Sequence, residues 1–357
     1  MSQKDLKLKS TPLPVDLHLI DRSEESLMLQ DMLTSWASTT LSSHAQMWDE
    51  EQELPVKVLR EAEELGLYSI SVKETQGGSE MGFEAALLAV ETLAQYECSL
   101  ALKVALLNGP IASLWPDDLP IAEATWSSGT LQVNGGGVTG YLTDVPWAES
   151  ARWIMYPQGD RLYLIDLVSD RVKRSPQQDR LGLRCAEWAD LHFDGVPALA
   201  YPLTRKARLR ADAWLNLGWS ALAIGAGTSG IQEGVKYALE RSQFGQPISN
   251  LQAVQWMIAD SMTELDAARL LTYEAARALT SEEDWGVREG VRMAAQARLL
   301  AADAGHLACD RGLQIHGGYG YTREYPVERY WRDVQRAFPT RGRRGLDKLI
   351  IQGLNHD

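Results

Sequence analysis

Apolar residues recur at three- and four-residue intervals from about residue 20 onward. Leu27, Leu29, Met32 and Leu33 mark one helical face, and Val56, Leu59, Ala62 and Leu65 mark another. Positions repeating every 3.6 residues return to the same side of an α-helix, so this spacing predicts an N-terminal helical domain over residues 20–108. The texture changes between residues 109 and 203. Short apolar runs, Gly129-Thr-Leu-Gln-Val133, Trp153-Ile-Met-Tyr156, Arg161-Leu-Tyr-Leu-Ile165 and Leu191-His-Phe193, stand between turn residues and predict the strands of a middle β-domain. Helical spacing returns after Ala211. The pairs Ala267-Ala268, Ala275-Ala276 and Ala294-Ala295 allow helices to approach closely, so residues 204–357 read as a C-terminal helical bundle.

Two glycine clusters interrupt this pattern. Gly77 and Gly78 suit a turn that needs positive φ. Gly225-Ala-Gly-Thr-Ser-Gly230 satisfies the Gly-x-Gly-x-x-Gly spacing of a dinucleotide-binding turn, but Trp214 to Ala223 reads as helix where a strand is required. Residues 245–255 also lack the acid such a fold needs, so close helix packing is the better account.

The chain has 357 residues and is 45% hydrophobic, enough for a substantial core. Its net charge of −13 repels polyphosphates, which argues against nucleic acid as a ligand. Cys98, Cys185 and Cys309 are too far apart in sequence for a close metal motif or a paired framework, and they fit a reducing cytoplasm. No run approaches the ~20 apolar residues of a membrane span, and the first nine residues lack the apolar segment of a secretion signal. His18, His44, His192, His306, His316 and His356 show no spacing that sets two metal ligands on one helix face, so no metal is expected. The twelve tryptophans read as packing or interface residues.

Chemistry concentrates near the C-terminus, in Gln314-Ile-His-Gly-Gly-Tyr-Gly-Tyr-Thr-Arg-Glu-Tyr-Pro326-Val-Glu-Arg329 followed by Arg332-Asp333. This stretch resembles the C-terminal signature of acyl-CoA dehydrogenases. Further segments carry the same resemblance: Glu64-Leu-Gly-Leu-Tyr68 to Gln76-Gly-Gly78, and Gly182-Leu-Arg-Cys-Ala186 leading into Leu191-His-Phe-Asp-Gly-Val-Pro197. It implies a mainly α fold with a central β-domain: an N-terminal helical domain, a middle β-barrel-like domain and a C-terminal four-helix bundle. It also implies FAD as cofactor and an acyl thioester as substrate, in a dimer or tetramer whose flavin sites draw on two subunits.

Site residues follow from the same resemblance. Arg241-Ser-Gln-Phe-Gly245 looks like the family's Arg-x-x-Phe-Gly element, which places Arg241 on the flavin pyrophosphate with Gln243 and Phe244 beside it and Gln252 at the family's spacing. A guanidinium fork matches phosphate oxygens, and the same residues would also suit a helix end with a glycine cap. Gln314, Gly317 and Gly318 match positions that receive the adenine and pyrophosphate end from a neighbouring subunit. Tyr141-Leu-Thr143 aligns with the family's Trp-Ile-Thr, implying an aromatic cover and a hydroxyl at the flavin, while Asp144 replaces the usual asparagine.

The catalytic base is the departure. The family's glutamate commonly stands eight residues after the Arg-Asp aspartate and before a glycine, and here that position is Arg341, before Gly342. A guanidinium stays protonated at any working pH and cannot remove an α-proton. Some members carry the glutamate seven residues before the glycine that corresponds to Gly225, and here that position is Gly218. Asp212 lies six residues earlier, about 9 Å along a helix at ~1.5 Å per residue. A Thr-Glu-Pro and Gly-Ser-Asp segment expected early in the β-domain is missing between Pro110 and Ser127. No catalytic residue is therefore assigned.

Three functions follow. The first is a base-deficient, acyl-CoA dehydrogenase-like subunit of fatty-acid metabolism in a homo- or hetero-oligomer, complemented by a catalytic homologue. The second is a flavin-dependent oxidase or monooxygenase that uses Arg341, amid Arg336, Arg343, Arg344 and Lys348, as an anion site. The third is a noncatalytic scaffold subunit.

Overall fold

The computed structural model describes residues 23–116, 121–129, 131–177, 179–281, 283–338, 348 and 350–351. Five helices come first: α1 (Glu24–Thr40), α2 (Ala45–Glu51), α3 (Val56–Glu64), α4 (Gly82–Ala94) and α5 (Cys98–Leu106). Ser23 starts α1 by accepting the Ser26 N–H, satisfying a donor the helix leaves open. Glu97 does the same for α5 from a buried position, accepting from Ser99 at 3.1 Å and Leu100 at 2.5 Å. Its apolar surroundings push the carboxyl upward, against those bonds and the nearby Arg329.

Seven strands follow: β1 (Ala124–Trp126), β2 (Gln132–Asn134), β3 (Gly137–Val145), β4 (Trp153–Gln158), β5 (Arg161–Asp166), β6 (Val172–Pro176) and β7 (Ala189–Pro202). They order as β1-β4-β5-β7-β3-β2, with β6 paired to β7. The long β7 joins the sheet together: it pairs with β3 along 189–197, with β6 along 189–193 and with β5 along 198–202. Inward positions of these strands, among them Val138, Leu142, Ile154, Ile165, Leu191 and Phe193, form one small core.

The bundle begins earlier than its apolar spacing indicates. α6 (Arg205–Glu240) starts at Thr204, whose Oγ1 accepts the Ala207 N–H. A two-strand hairpin, β8 (Ser242–Gln243) and β9 (Gln246–Pro247), leads to α7 (Gln252–Thr280), α8 (Asp284–His316) and α9 (Val327–Val334). The segment Gly225 to Gly230 lies inside α6, and a Cβ on Gly225 would meet Glu91 O at 2.3 Å, one on Gly227 the Gly305 Cα at 2.7 Å and one on Gly230 the Cys309 Sγ at 2.7 Å. These glycines let α4 and α8 seat directly on α6, as the sequence predicts. Trp126, Trp147, Trp153 and Trp188 belong to the same core as the helices and pack the sheet against them. Among the described residues, no helix is long and apolar enough to cross a membrane, and no group of three or more His, Cys, Asp or Glu could hold a metal ion.

Candidate functional site

The end of α6, the hairpin after it and the end of α8 enclose a cleft of about 460 Å³. Arg241, Gln243, Gly317 and Gly318 line it, with Tyr237, His316 and Tyr319 as an aromatic wall. Arg241 sits just past the end of α6, where its N–H donates to Tyr237 O at 2.9 Å and its carbonyl accepts from Ile248 at 2.8 Å. Phe244 and Gly245 both take positive φ, +54° and +77°, which closes a two-residue hairpin and holds Gln243 opposite Gln246. Gly317 ends α8 at φ +59°, and neither it nor Gly318 has an atom within 4 Å of where a Cβ would stand. The backbone there is open to a ligand.

His316 is buried against this cleft. Its ring stacks on Tyr237 with centroids 4.5 Å apart, and its Nδ1 lies 2.8 Å from Gly312 O. Burial pushes its pKa down, and Nε2 is left without a protein partner. Arg241 makes no ion pair among the described residues. The cleft therefore offers a cation, two open backbone positions and stacked rings, the donor set for a nucleotide phosphate.

The other candidates lie elsewhere. Phe244 projects from the hairpin tip at 88% exposure, Gln252 opens α7 and Gln314 lies exposed on the last turn of α8; none lines the cleft. Tyr141 and Thr143 stand exposed on β3, away from it, with the Tyr141 ring 4.3 Å from that of His192. The structure thus joins Arg241 and Gln243 to Gly317 and Gly318, and keeps that group separate from Tyr141 and Thr143.

The Arg-Asp pair of the signature has a structural task that the sequence does not reveal. Arg332 forks onto Asp49 of α2 at 3.1 and 2.5 Å and onto Glu328 at 2.6 and 3.1 Å, and it donates to Leu181 O at 2.9 Å. Asp333 is buried and accepts the Leu183 N–H at 2.6 Å. One dipeptide therefore ties α9 to the N-terminal helices and to the segment before β7. Burial, with Asp49 nearby, pushes the Asp333 carboxyl up to about 7, against the pull of Arg329 and Arg332.

Neither position at which the resemblance expects a base holds a carboxylate. Arg341 lies outside the described residues, as do Arg343 and Arg344. Gly218 lies within α6 against α5, where a Cβ would stand 2.9 Å from that of Ala105, so the helices are in contact at that point. Arg336, grouped with Arg341 by sequence in an anion site, is half-buried and paired with Asp144.

The architecture, a helical domain, a central sheet and a helical bundle, is that of butyryl-CoA dehydrogenase from Megasphaera elsdenii, which superposes with a TM-score of 0.85 at 19% identity, covering 95% of this chain and 100% of that one. Residues 23–115 match the acyl-CoA dehydrogenase N-terminal domain, and residues 216–352 match the acyl-CoA dehydrogenase C-terminal domain. The chain belongs to the acyl-CoA dehydrogenase family. Its relatives include the probable acyl-CoA dehydrogenase YngJ of Bacillus subtilis, 27% identical over 92% of this chain and 97% of that protein. Another is the caffeyl-CoA reductase-Etf complex subunit CarC of Acetobacterium woodii, 26% identical over 93% of this chain and 98% of that protein.

Proposed function

We propose that this chain is a FAD-dependent, acyl-CoA dehydrogenase-like oxidoreductase subunit that lacks its own base and works in a mixed oligomer with a catalytic homologue. The cleft at Arg241 suits the phosphates of the cofactor: the guanidinium is unpaired among the described residues, Gly317 and Gly318 leave the backbone approachable, and the rings of Tyr237 and Tyr319 lie beside it. Arg241, Gln243, Gly317 and Gly318 would hold that end, while Tyr141 would stack on the ring system and the Thr143 hydroxyl would hydrogen-bond to its edge. FAD supplies the hydride acceptor when bound. Because the two groups lie on separate parts of one chain, a second copy or a homologue is the natural source of the other half.

The observation that supports the base-deficient reading is glycine at 218, where a Cβ would stand 2.9 Å from that of Ala105 and leave little room for a side chain, together with arginine at 341. General-base help is worth roughly 10²–10⁴ in rate, or about 3–5.5 kcal/mol, so its loss leaves little oxidation by the chain alone. Relatives of this chain include a subunit of an Etf complex, which favours work in an assembly. The test is purification with and without a full-length homologue, reading the visible flavin spectrum and acyl-thioester oxidation. A yellow protein active only in the mixture is the expected result; full thioester oxidation by the lone chain would refute it.

A further inference from the structure

Asp144 follows Thr143, and a carboxylate can do something at this position that an amide cannot. Strand pairing does not fix this point of β3: the register runs Tyr141 to His192 and Leu142 to Leu191, then shifts to Val145 opposite Ala189. Thr143 and Asp144 fall in the bulge, where the ladder is broken. Asp144 takes φ +64°, a conformation that L-residues rarely adopt, and its N–H donates to Asp190 Oδ1 at 2.8 Å.

Its side chain reaches two other parts of the molecule. One carboxylate oxygen accepts from Arg180 Nη1 at 2.5 Å, in the segment before β7, and the other accepts from Arg336 Nη2, in the turn after α9. Both guanidiniums lie over the Trp188 ring, at 4.2 and 4.8 Å from it, and Trp188 is pinned by its Nε1 donating to Leu183 O at 2.8 Å. All three charged side chains are partly shielded, so salt and water weaken the attraction less than at an open surface. Asparagine at 144 could accept hydrogen bonds but would leave two guanidiniums facing one ring with no carboxylate between them.

We propose that Asp144 is a positioning residue, a clasp that fixes the bulged end of β3, and with it Thr143, to the C-terminal bundle by sharing its carboxylate between Arg180 and Arg336. Its consequence for the cofactor rests on the flavin reading above. Arg336 lies in the turn after α9, so the clasp connects the strand carrying the Thr143 hydroxyl to the end of that helix.

The test begins with the full chain without added cofactor, comparing Asp144→Asn, Arg336→Met and the double variant by hydrogen exchange over residues 137–147. Amide exchange at 142–145 should accelerate by roughly 10-fold or more in either single variant, and the double should add little to the larger single effect. Asp144→Glu should restore part of the protection. The second arm titrates FAD: Asp144→Asn should weaken binding by roughly 10-fold and alter the visible band. A control, Tyr273→Phe, which removes a bond to Glu91 away from β3, should lower the melting temperature without either effect. If wild-type chain takes up no FAD either alone or with the homologue, the flavin reading fails and the exchange arm alone decides the clasp. Unchanged exchange in Asp144→Asn and Arg336→Met overturns the proposal, as does Asp144→Asn that melts earlier yet binds FAD with wild-type affinity and spectrum.

Discussion

A Cβ placed on Gly218 would stand 2.9 Å from that of Ala105, a clash that no rotamer change relieves because both atoms are fixed to helix backbones. Gly218→Ala should therefore destabilise the chain by about 1–2 kcal/mol in urea unfolding, the overpacking cost outweighing the better helix propensity of alanine. Gly218→Glu should cost more and gain no thioester oxidation, since its carboxylate would have to part α5 from α6; recovered activity would show that a substrate carbon reaches this seam after all. Asp333 gives a pH prediction. Its folded-state pKa is raised above the ordinary carboxylate value, so the folded chain holds this proton more tightly than the unfolded chain does. The associated stability is fully present below about pH 4 and is lost as pH rises through about 7. Asn at 333 can still accept the Leu183 N–H without carrying a charge. Relative to wild type, Asp333→Asn should gain about 1–3 kcal/mol between pH 4 and pH 8, read from paired denaturant curves at each pH. A wild-type-minus-variant difference that stays flat would mean that Arg329 and Arg332 keep Asp333 ionised throughout.

Helix α4 meets α7 through a buried pair, Glu91 and Arg269, 2.7 Å apart and each with a side chain 3% exposed. Tyr273 adds a bond to Glu91 at 3.2 Å, and Asp266 pairs with the same arginine. Removing one member of a buried pair strands the other, so Glu91→Leu or Arg269→Met alone should cost about 3–5 kcal/mol, and the double variant much less than the sum. Thermal unfolding of the four proteins checks this; additive losses would mean that the pair does not act as a unit. The sequence announces the helices here but not this tie, because helical periodicity identifies which face is buried and not which charges are buried with it. The same limit explains the strands. Trp153 to Tyr156 and Arg161 to Ile165 are legible as apolar runs and become β4 and β5, whereas Val172-Lys-Arg-Ser-Pro176 has no apolar run to mark it and is β6. Proline and cations at that position suit a strand end that lacks a second neighbour. Glycines 225, 227 and 230 are correctly read as packing, since no strand precedes them. The Arg241 cleft is legible only through resemblance, because 75 residues stand between Arg241 and Gly317 and nothing local links them.

At the scale of the molecule, the two groups expected to hold the cofactor belong to different places, one on β3 and one between α6 and α8. Phe244 at 88% exposure and Tyr321 at 97% flank the second group, large apolar rings that a lone chain leaves in water. Aromatic rings beside an open cleft suit contact with another subunit, where such side chains commonly anchor the interface. If each cofactor site combines β3 of one chain with the Arg241 cleft of another, substitutions should act in different subunits of a mixed assembly. Thr143→Val in this chain should impair the site framed by its own β-domain, whereas Arg241→Ala should impair the site framed by the homologue's. Losing a guanidinium bond to phosphate is worth about 1.5–3 kcal/mol, or roughly 10–150-fold in affinity. In an assembly of this chain with a homologue, Arg241→Ala should therefore release flavin from the homologue's half of the sites while this chain's own half stays filled, as flavin-to-protein ratios after gel filtration would record. Release from this chain's own sites instead would place both groups on a single subunit's cofactor, and loss from all sites alike would indicate that the assembly itself depends on Arg241.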